Sequence, residues 1–259
     1  MTASTMAPEA NRKKKIITTA ASALIWLAAW QLSAVLIGQE LFLASPLSVL
    51  KSLSGLLQKA EFYNTVGYSL LRILTGFFAA AVFGSVLSVI AYKLPFFETF
   101  FSPFMGAVKA APVASFVVLA LLAVGSKNLA ALISFLMVFP VFYTSLLSGM
   151  KSVDKERFEA AEVFGMLRRD RFRFIYLPYV APHLKSACQV GMGLSWKAGI
   201  SAEVIGITSG SIGGKLYEAK LFLETAELLA YTLVVVLLSL LLEKLLALLI
   251  CAMEKILTK

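Results

Sequence analysis

Histidine and cysteine are scarce in this chain, which has one histidine, His183, and two cysteines, Cys188 and Cys251. One histidine excludes a metal site built from several histidines of this chain. Both cysteines lie in or beside apolar segments, with neither a disulfide framework nor the spacing of metal ligands. The chemistry of thiols and bound metals is therefore not expected to explain this protein, and no cofactor is expected in the chain.

Charge is also scarce, because Asp, Glu, Lys and Arg make up 15% of the 259 residues while 59% are hydrophobic. Soluble domains are about 25% charged. The apolar residues come in long runs without strand-like alternation, and a run of about 18 residues crosses a bilayer as a helix. Mean hydropathy is +0.83. The sequence predicts an all-α polytopic membrane protein.

Six candidate spans follow from these runs: Ile16–Gly38, Thr65–Tyr92, Phe100–Val124, Leu129–Met150, Pro182–Gly206 and Ala226–Met253. The first is longer than a signal-peptide core and has no convincing cleavage site after it, so we expect an uncleaved helix. Ser45 and Pro46 predict the start of a short amphipathic helix at the outer surface. Pro103, Pro112 and Pro140 are expected to kink the third and fourth spans.

The net charge of +9 would suggest nucleic-acid binding in a soluble protein, but basic residues also gather on the cytoplasmic side of membrane helices. With both termini inside, the cytoplasmic segments hold most of the basic residues: the cluster 12–15, Lys93, Lys151, Lys155, Arg157, Arg168, Arg169, Arg171, Arg173, Lys255 and Lys259. The outer segments hold Lys51, Lys59, Lys127, Lys215 and Lys220. This bias predicts an N-inside, C-inside protein of the bacterial inner membrane.

We expect residues 1–15 to form a cytoplasmic tail and residues 16–259 a single membrane domain, with a polar loop at about 150–181. No G-x-x-x-x-G-K-[ST] phosphate-binding motif occurs in the chain. ATP hydrolysis is therefore not expected here.

The polar loop carries the most specific motif. Glu159-Ala160-Ala161, Gly165, Ile175 and Leu177-Pro178 fit the pattern E-A-A-x3-G-x9-I-x-L-P. Residues 159–167 favour a helix, on which Ala160, Ala161 and Gly165 would share a small-residue face. The residues expected to anchor that helix are Phe158, Val163 and Phe164. A rival interpretation is an amphipathic helix that packs on the protein's own cytoplasmic face.

This loop resembles the EAA loop of bacterial ABC importer permeases of type I. The resemblance implies that the short helix docks on a separate ATPase subunit, which binds the ATP, and transmits its closure to the pore. It also implies a second permease copy, in a homodimer, and an extracytoplasmic solute-binding protein. No nucleic-acid partner is expected.

A narrower resemblance, to the nitrate, sulfonate and taurine permeases, extends from about Ser45 to the end. It is carried by short motifs at 45–46, 69–72, 76–77, 152–154, 194–196, 202–203, 209–210 and 212–213. Family members often have R-P-I-P and W-F-G where this chain has Lys109-Ala110-Ala111-Pro112 and Ala123-Val124-Gly125. The resemblance implies a small, anionic solute and leaves its identity open.

Four ionisable residues fall within or near predicted spans, where a charge costs at least about 2.5–3.5 kcal/mol unless it faces protein or water: Arg72, Lys109, Lys197 and Glu203. Arg72 is expected to extend outward, and the other three are candidates for the translocation pathway. Lys109, about 14 Å deep in its span, is the best candidate to meet an anion. The alternatives are pairing with a carbonyl freed by Pro112 or with Glu203. Trp196 is a candidate for stacking or gating, although a packed core tryptophan is the simpler reading.

Two other classes of function fit the sequence less well. An ion-gradient-driven secondary transporter predicts inverted repeats and broken helices in matching halves, and the sequence offers neither. A membrane-embedded enzyme needs several convergent ionisable residues in the spans, and this chain has too few. The ABC permease interpretation is therefore preferred.

Overall fold

The computed structural model describes the backbone of residues 7–257, and the side chains of residues 17–252 except Ala20, Lys155, Arg157 and Phe158. The described chain contains ten α-helices and no strand: α1 (Ala7–Ile37), α2 (Pro46–Leu57), α3 (Ala60–Lys93), α4 (Pro95–Ala110), α5 (Val113–Lys151), α6 (Lys155–Val163), α7 (Arg168–Arg171), α8 (Leu177–Ile205), α9 (Ile212–Leu221) and α10 (Thr225–Leu257). A π-helical turn, Phe172–Tyr176, joins α7 to α8. The all-α prediction is confirmed.

Four helices of the described part are both long enough and apolar enough to cross a bilayer: Ile17–Ile37, Ala60–Lys93, Val113–Lys151 and Thr225–Ala252. They coincide with the first, second, fourth and sixth predicted spans. Helix α8 has 29 residues, enough to cross a bilayer, but it is more polar than these four. The number of six spans stays a prediction.

The third predicted span, Phe100–Val124, is wrong as a single helix. Helix α4 ends at Ala110, and α5 begins at Val113. Pro112 lacks an N–H and disfavours helical geometry in the residue before it, so Ala111 is extended with ψ 143°. Gly125, with φ 68° and ψ 171°, makes a second break inside α5, between the third and fourth predicted spans.

The fifth predicted span, Pro182–Gly206, lies within α8 except for its last residue, and α8 itself begins five residues earlier, at Leu177. The short helix predicted at Ser45 and Pro46 is present: Ser45 caps α2 by accepting a hydrogen bond from the Ser48 N–H, and Pro46 occupies the first turn. Its position at the outer surface stays a prediction. Residues 7–15 of the predicted tail continue α1, and residues 1–6 lie outside the described part of the chain.

Helices α3, α5 and α8 form the centre of the fold, because α5 makes its most extensive contacts with the other two. Small residues allow the close approach. A Cβ on Gly76 of α3 would lie 2.2 Å from the Ala131 carbonyl oxygen of α5. A Cβ on Gly199 of α8 would lie 2.6 Å from Ile73. Backbones this close gain dispersion contacts and interhelical hydrogen bonds, which drive helix association in lipid.

Polar contacts gather the loops at two opposite ends of the bundle. At one end Lys215 pairs with Glu61 at 2.8 Å, and Thr208 donates a hydrogen bond to the Ser126 carbonyl. The hydrogen bonds to Glu61 and Glu218 raise the pKa of Lys215. At the other end Lys151 pairs with Glu98 at 2.6 Å. All segments predicted to be outer thus meet at the first end.

Candidate coupling helix and intramembrane polar sites

Helix α6 carries the first part of the motif and ends abruptly after it. Its last turn closes with two hydrogen bonds, from the Gly165 N–H to the Glu162 carbonyl and from the Met166 N–H to the Ala161 carbonyl. Gly165 has φ 63°. This is a Schellman C-cap, in which a glycine adopts the left-handed conformation that other L-residues avoid.

The predicted small-residue face is therefore wrong in one respect. Gly165 lies beyond the helix and does not share a helical face with Ala160 and Ala161, and α6 does not continue to Leu167. A Cβ at Gly165 would meet no atom of the described residues within 4 Å. Within the chain, position 165 requires a glycine because of its backbone conformation. Ala161 is buried against the protein, whereas Glu159 and Ala160 are exposed.

Large apolar side chains within the motif face outward. Val163 is 84% exposed, Phe164 87% and Leu167 71%. The prediction that Val163 and Phe164 anchor the helix is wrong, and the side chain of Phe158 lies outside the described residues. Phe172 and Phe174 are also largely exposed. An apolar patch on a polar loop is typical of a surface that meets a partner.

The second part of the motif connects the loop to the bundle. Arg171 donates a hydrogen bond from Nε to the Met166 carbonyl at 2.8 Å and approaches the Glu162 carboxylate at 3.8 Å. Ile175 is buried in the π-helical turn, and Leu177 and Pro178 begin α8. A movement of α6 would consequently reach α8 through a short, hydrogen-bonded connection.

Lys109 lies at the end of α4 and is exposed to a cleft. Its Nζ donates a hydrogen bond to the Thr144 hydroxyl of α5 at 3.1 Å. Glu203 bonds elsewhere, so the alternative in which Lys109 pairs with Glu203 is wrong.

Glu203 is completely buried where α3, α8 and α9 meet. Its Oε2 accepts hydrogen bonds from the Ser69 hydroxyl at 2.8 Å and from the Gly213 N–H at 3.1 Å. The Ser69 hydroxyl in turn accepts from the Ile212 N–H at 2.9 Å. The carboxylate thus binds the first turn of α9, where free N–H groups and the helix dipole favour a negative charge.

Trp196 and Lys197 differ although they are neighbours on α8. Trp196 is buried, and its Nε1 donates a hydrogen bond to the Val235 carbonyl of α10 at 2.8 Å. This contact is that of a core tryptophan rather than one free to stack on a solute. Lys197 is exposed and lines a cavity of about 370 Å³ between α5 and α8, with Ala114, Met137 and Ser201.

Sequence reasoning did not assign a role to Ser69, which sits 134 residues from its partner Glu203. Arg72, expected to extend outward, lies over the Tyr68 ring at 4.1 Å and has a buried Nη1 without a hydrogen-bond partner in the structure. Spacing within one helix places Ser69 and Arg72 near each other. Only the packed fold brings Glu203 to them.

Comparison with known proteins identifies the family. The sequence profile of the binding-protein-dependent transport system inner membrane component matches residues 72–255. This chain therefore belongs to that family of ABC importer permeases, which resides in the inner membrane.

Individual relatives are distant but similar over most of their length. The chain is 27% identical over 232 residues to the taurine transport system permease protein of Escherichia coli, covering 87% of this chain and 83% of the relative. It is 25% identical to the nitrate import permease protein of a Synechocystis strain, covering 84% and 82%. A putative aliphatic sulfonates transport permease protein of Bacillus subtilis is 24% identical, covering 73% and 68%.

Proposed function

We propose that this chain forms, with a second identical copy, the pathway of an ATP-driven importer for a small anion such as a sulfonate or nitrate. The anion is supported by the names of the relatives, which transport taurine, aliphatic sulfonates and nitrate. A binding protein delivers the solute at the outer face. Both termini of the chain lie in the cytoplasm.

ATP is bound and hydrolysed by a separate ATPase that contacts the loop 150–181. The observation that carries this proposal is the patch of Val163, Phe164 and Leu167, which is exposed on a loop rich in arginine. In water this apolar area is unfavourable, and burial contributes about 25 cal/mol per Å². Docking on an ATPase groove would bury it.

The coupling follows from the connection between α6 and α8. When ATP brings two ATPase subunits together, Glu159, Ala160 and Ala161 move with them. The segment from Gly165 through Ile175 to Leu177 and Pro178 transmits the movement to α8, which carries Trp196, Lys197 and Glu203. Differential affinity for the solute in the two states then gives direction to transport.

Substitution of Val163 by Asp tests the docking. Because Val163 is almost fully exposed, the variant should insert and fold normally, yet its charge would be buried at the ATPase contact. We expect loss of co-purification with the ATPase that is recovered with the unchanged protein.

The matched control is Lys93→Asp, which places the same acid at an exposed position, the last residue of α3, at the same end of the bundle. It should retain the ATPase. Equal ATPase recovery with the Val163→Asp variant would remove the proposed contact.

A further inference from the structure

A cleft of about 410 Å³ lies between α4 and the second part of α5. Glu98 and Lys151 line the end near the loops, and Lys109, Tyr143 and Thr144 line the region deeper along the two helices. Its charged side chains are two lysines and one glutamate, so a net positive charge faces this space.

Tyr143 lines the cleft, and its hydroxyl is an unused donor just beneath the cleft surface. The residue is 3% exposed, and its hydroxyl is buried without a hydrogen-bond partner in the described part of the chain. A buried polar group left unsatisfied destabilises the folded protein. A ligand that accepts a hydrogen bond there would recover this free energy.

Lys109 offers further donors beside it. The ammonium group has three N–H bonds, and the structure shows one of them donating to the Thr144 hydroxyl. Thr144 donates its own proton to the Pro140 carbonyl at 2.8 Å, which fixes its oxygen as an acceptor for Lys109. The lysine is thus oriented by α5 while N–H groups remain for a ligand.

Lys151 is already neutralised at the end of the cleft, because its Nζ lies 2.6 and 2.7 Å from the two Glu98 carboxylate oxygens. The uncompensated charge of the cleft is therefore that of Lys109. A ligand attracted here must carry negative charge and hydrogen-bond acceptors.

We propose that this cleft binds a small oxyanion, of the sulfonate or nitrate class, between the Lys109 ammonium and the Tyr143 hydroxyl. The inference rests on the proposed function and adds to it a stopping point in the half of the pathway nearer the coupling helix. Charge-assisted hydrogen bonds to an oxyanion are the stronger kind, and two donors from different helices fix its position.

Methanesulfonate is a suitable probe, measured by equilibrium dialysis of the radiolabelled anion against the full chain in phosphatidylcholine nanodiscs. We expect saturable binding, weakened about tenfold or more in Tyr143→Phe because a hydrogen bond to a charged group is lost. Lys109→Met should abolish it. The controls Tyr63→Phe and Lys127→Met, at the opposite end of the bundle, should bind like the unchanged protein.

Absence of saturable binding, or unchanged affinity in both Tyr143→Phe and Lys109→Met, overturns the inference. Repeating the measurement with phosphatidylglycerol added distinguishes a lipid phosphate from a free anion. Loss of methanesulfonate binding in those discs would assign the cleft to a lipid headgroup and also overturn it.

Recovery of the ATPase with the same variants separates this inference from the function on which it rests. Failure of anion binding with normal ATPase recovery refutes the cleft alone. Loss of ATPase recovery by the unchanged protein refutes the proposed function, whatever the binding result. Since Tyr143→Phe removes only an unpartnered hydroxyl, normal ATPase recovery will also show that the variant is folded.

Discussion

Glu203 is the most constrained single residue of the described chain. A carboxylate without exposure to solvent must be stabilised by donors, and the Ser69 hydroxyl and Gly213 N–H supply them to Oε2, whereas Oε1 has no hydrogen-bond partner among the described residues. Its charge within a predicted span makes Glu203 a candidate for the translocation pathway. Its contacts instead fix the first turn of α9 against α3 and α8.

Removing this carboxylate should destabilise the protein strongly. Glu203→Ala leaves both the Gly213 N–H and the Ser69 hydroxyl without their acceptor, and each buried unsatisfied group costs about 1–3 kcal/mol. Ser69→Ala should cost less, about 1–3 kcal/mol. Because the two residues share one hydrogen bond, the double variant should lose less than the sum.

Thermal unfolding of the detergent-extracted variants measures these effects. Glu224→Ala, which changes an exposed carboxylate of the same outer segment, is the control and should unfold like the unchanged protein. Strict additivity of Glu203→Ala and Ser69→Ala would show that their contact does not contribute to stability. Removing Lys109 as well should not rescue Glu203→Ala, because the two side chains have different partners.

Among the elements, α6 has an end defined by one glycine. Gly165 sits at φ 63° with open space around it, so backbone conformation alone requires a glycine in the isolated chain. Asparagine tolerates this left-handed conformation, whereas a β-branched residue is strained there by about 1–3 kcal/mol.

Gly165→Asn should therefore preserve both the end of α6 and recovery of the ATPase, while Gly165→Val should reduce recovery. Co-purification of the ATPase with each variant makes the comparison. If Asn and Val abolish recovery equally, the space over Gly165 is filled by the partner, and the glycine is required for close packing rather than for the cap.

The elements differ in how far the sequence predicted them. Helices α3 and α10 follow from long apolar runs. The motif predicted a short helix in the polar loop, but α6 spans Lys155–Val163 rather than residues 159–167. The break at Ala111 was visible as Pro112, but the sequence could not show that the proline would end a helix rather than bend it. The first residues of α8 lie in the segment predicted as the polar loop, because hydropathy marks a membrane span and not the helix that extends beyond it.

The polar sites depended more on tertiary packing. Lys109 and Glu203 could be recognised as buried charges that need partners. The sequence did not indicate which residues those partners are. Ser69 and Thr144 supply those contacts from distant positions, and isolated hydroxyls in apolar helices carry no signal of their own. Val163 and Phe164 looked like core residues because hydrophobicity does not distinguish a core from a docking surface.

At the scale of the whole molecule, the two ends of the bundle should face different compartments. Ser54 on α2 and Ser152 after α5 are both exposed, at opposite ends. Single cysteines at these positions, in a background without Cys188 and Cys251, should react with an impermeant thiol reagent from opposite sides. The bias of basic residues places Ser54 outside.

Labelling of intact cells and of inverted vesicles shows on which side of the membrane each cysteine lies. Reaction of the cysteine at position 54 is expected only in cells, and that at position 152 only in vesicles. Labelling of both positions in intact cells would refute the proposed topology and with it the cytoplasmic position of the coupling loop.

The central claim is that ATP hydrolysis on a separate subunit drives solute through this chain. Proteoliposomes that contain the chain and its ATPase, with the binding protein outside, allow the direct measurement of labelled taurine, aliphatic sulfonate and nitrate uptake. The account predicts that one of these anions accumulates only with enclosed ATP, and that ionophores which collapse ion gradients do not stop it. Uptake that continues without ATP and ceases with the ionophore would contradict the account.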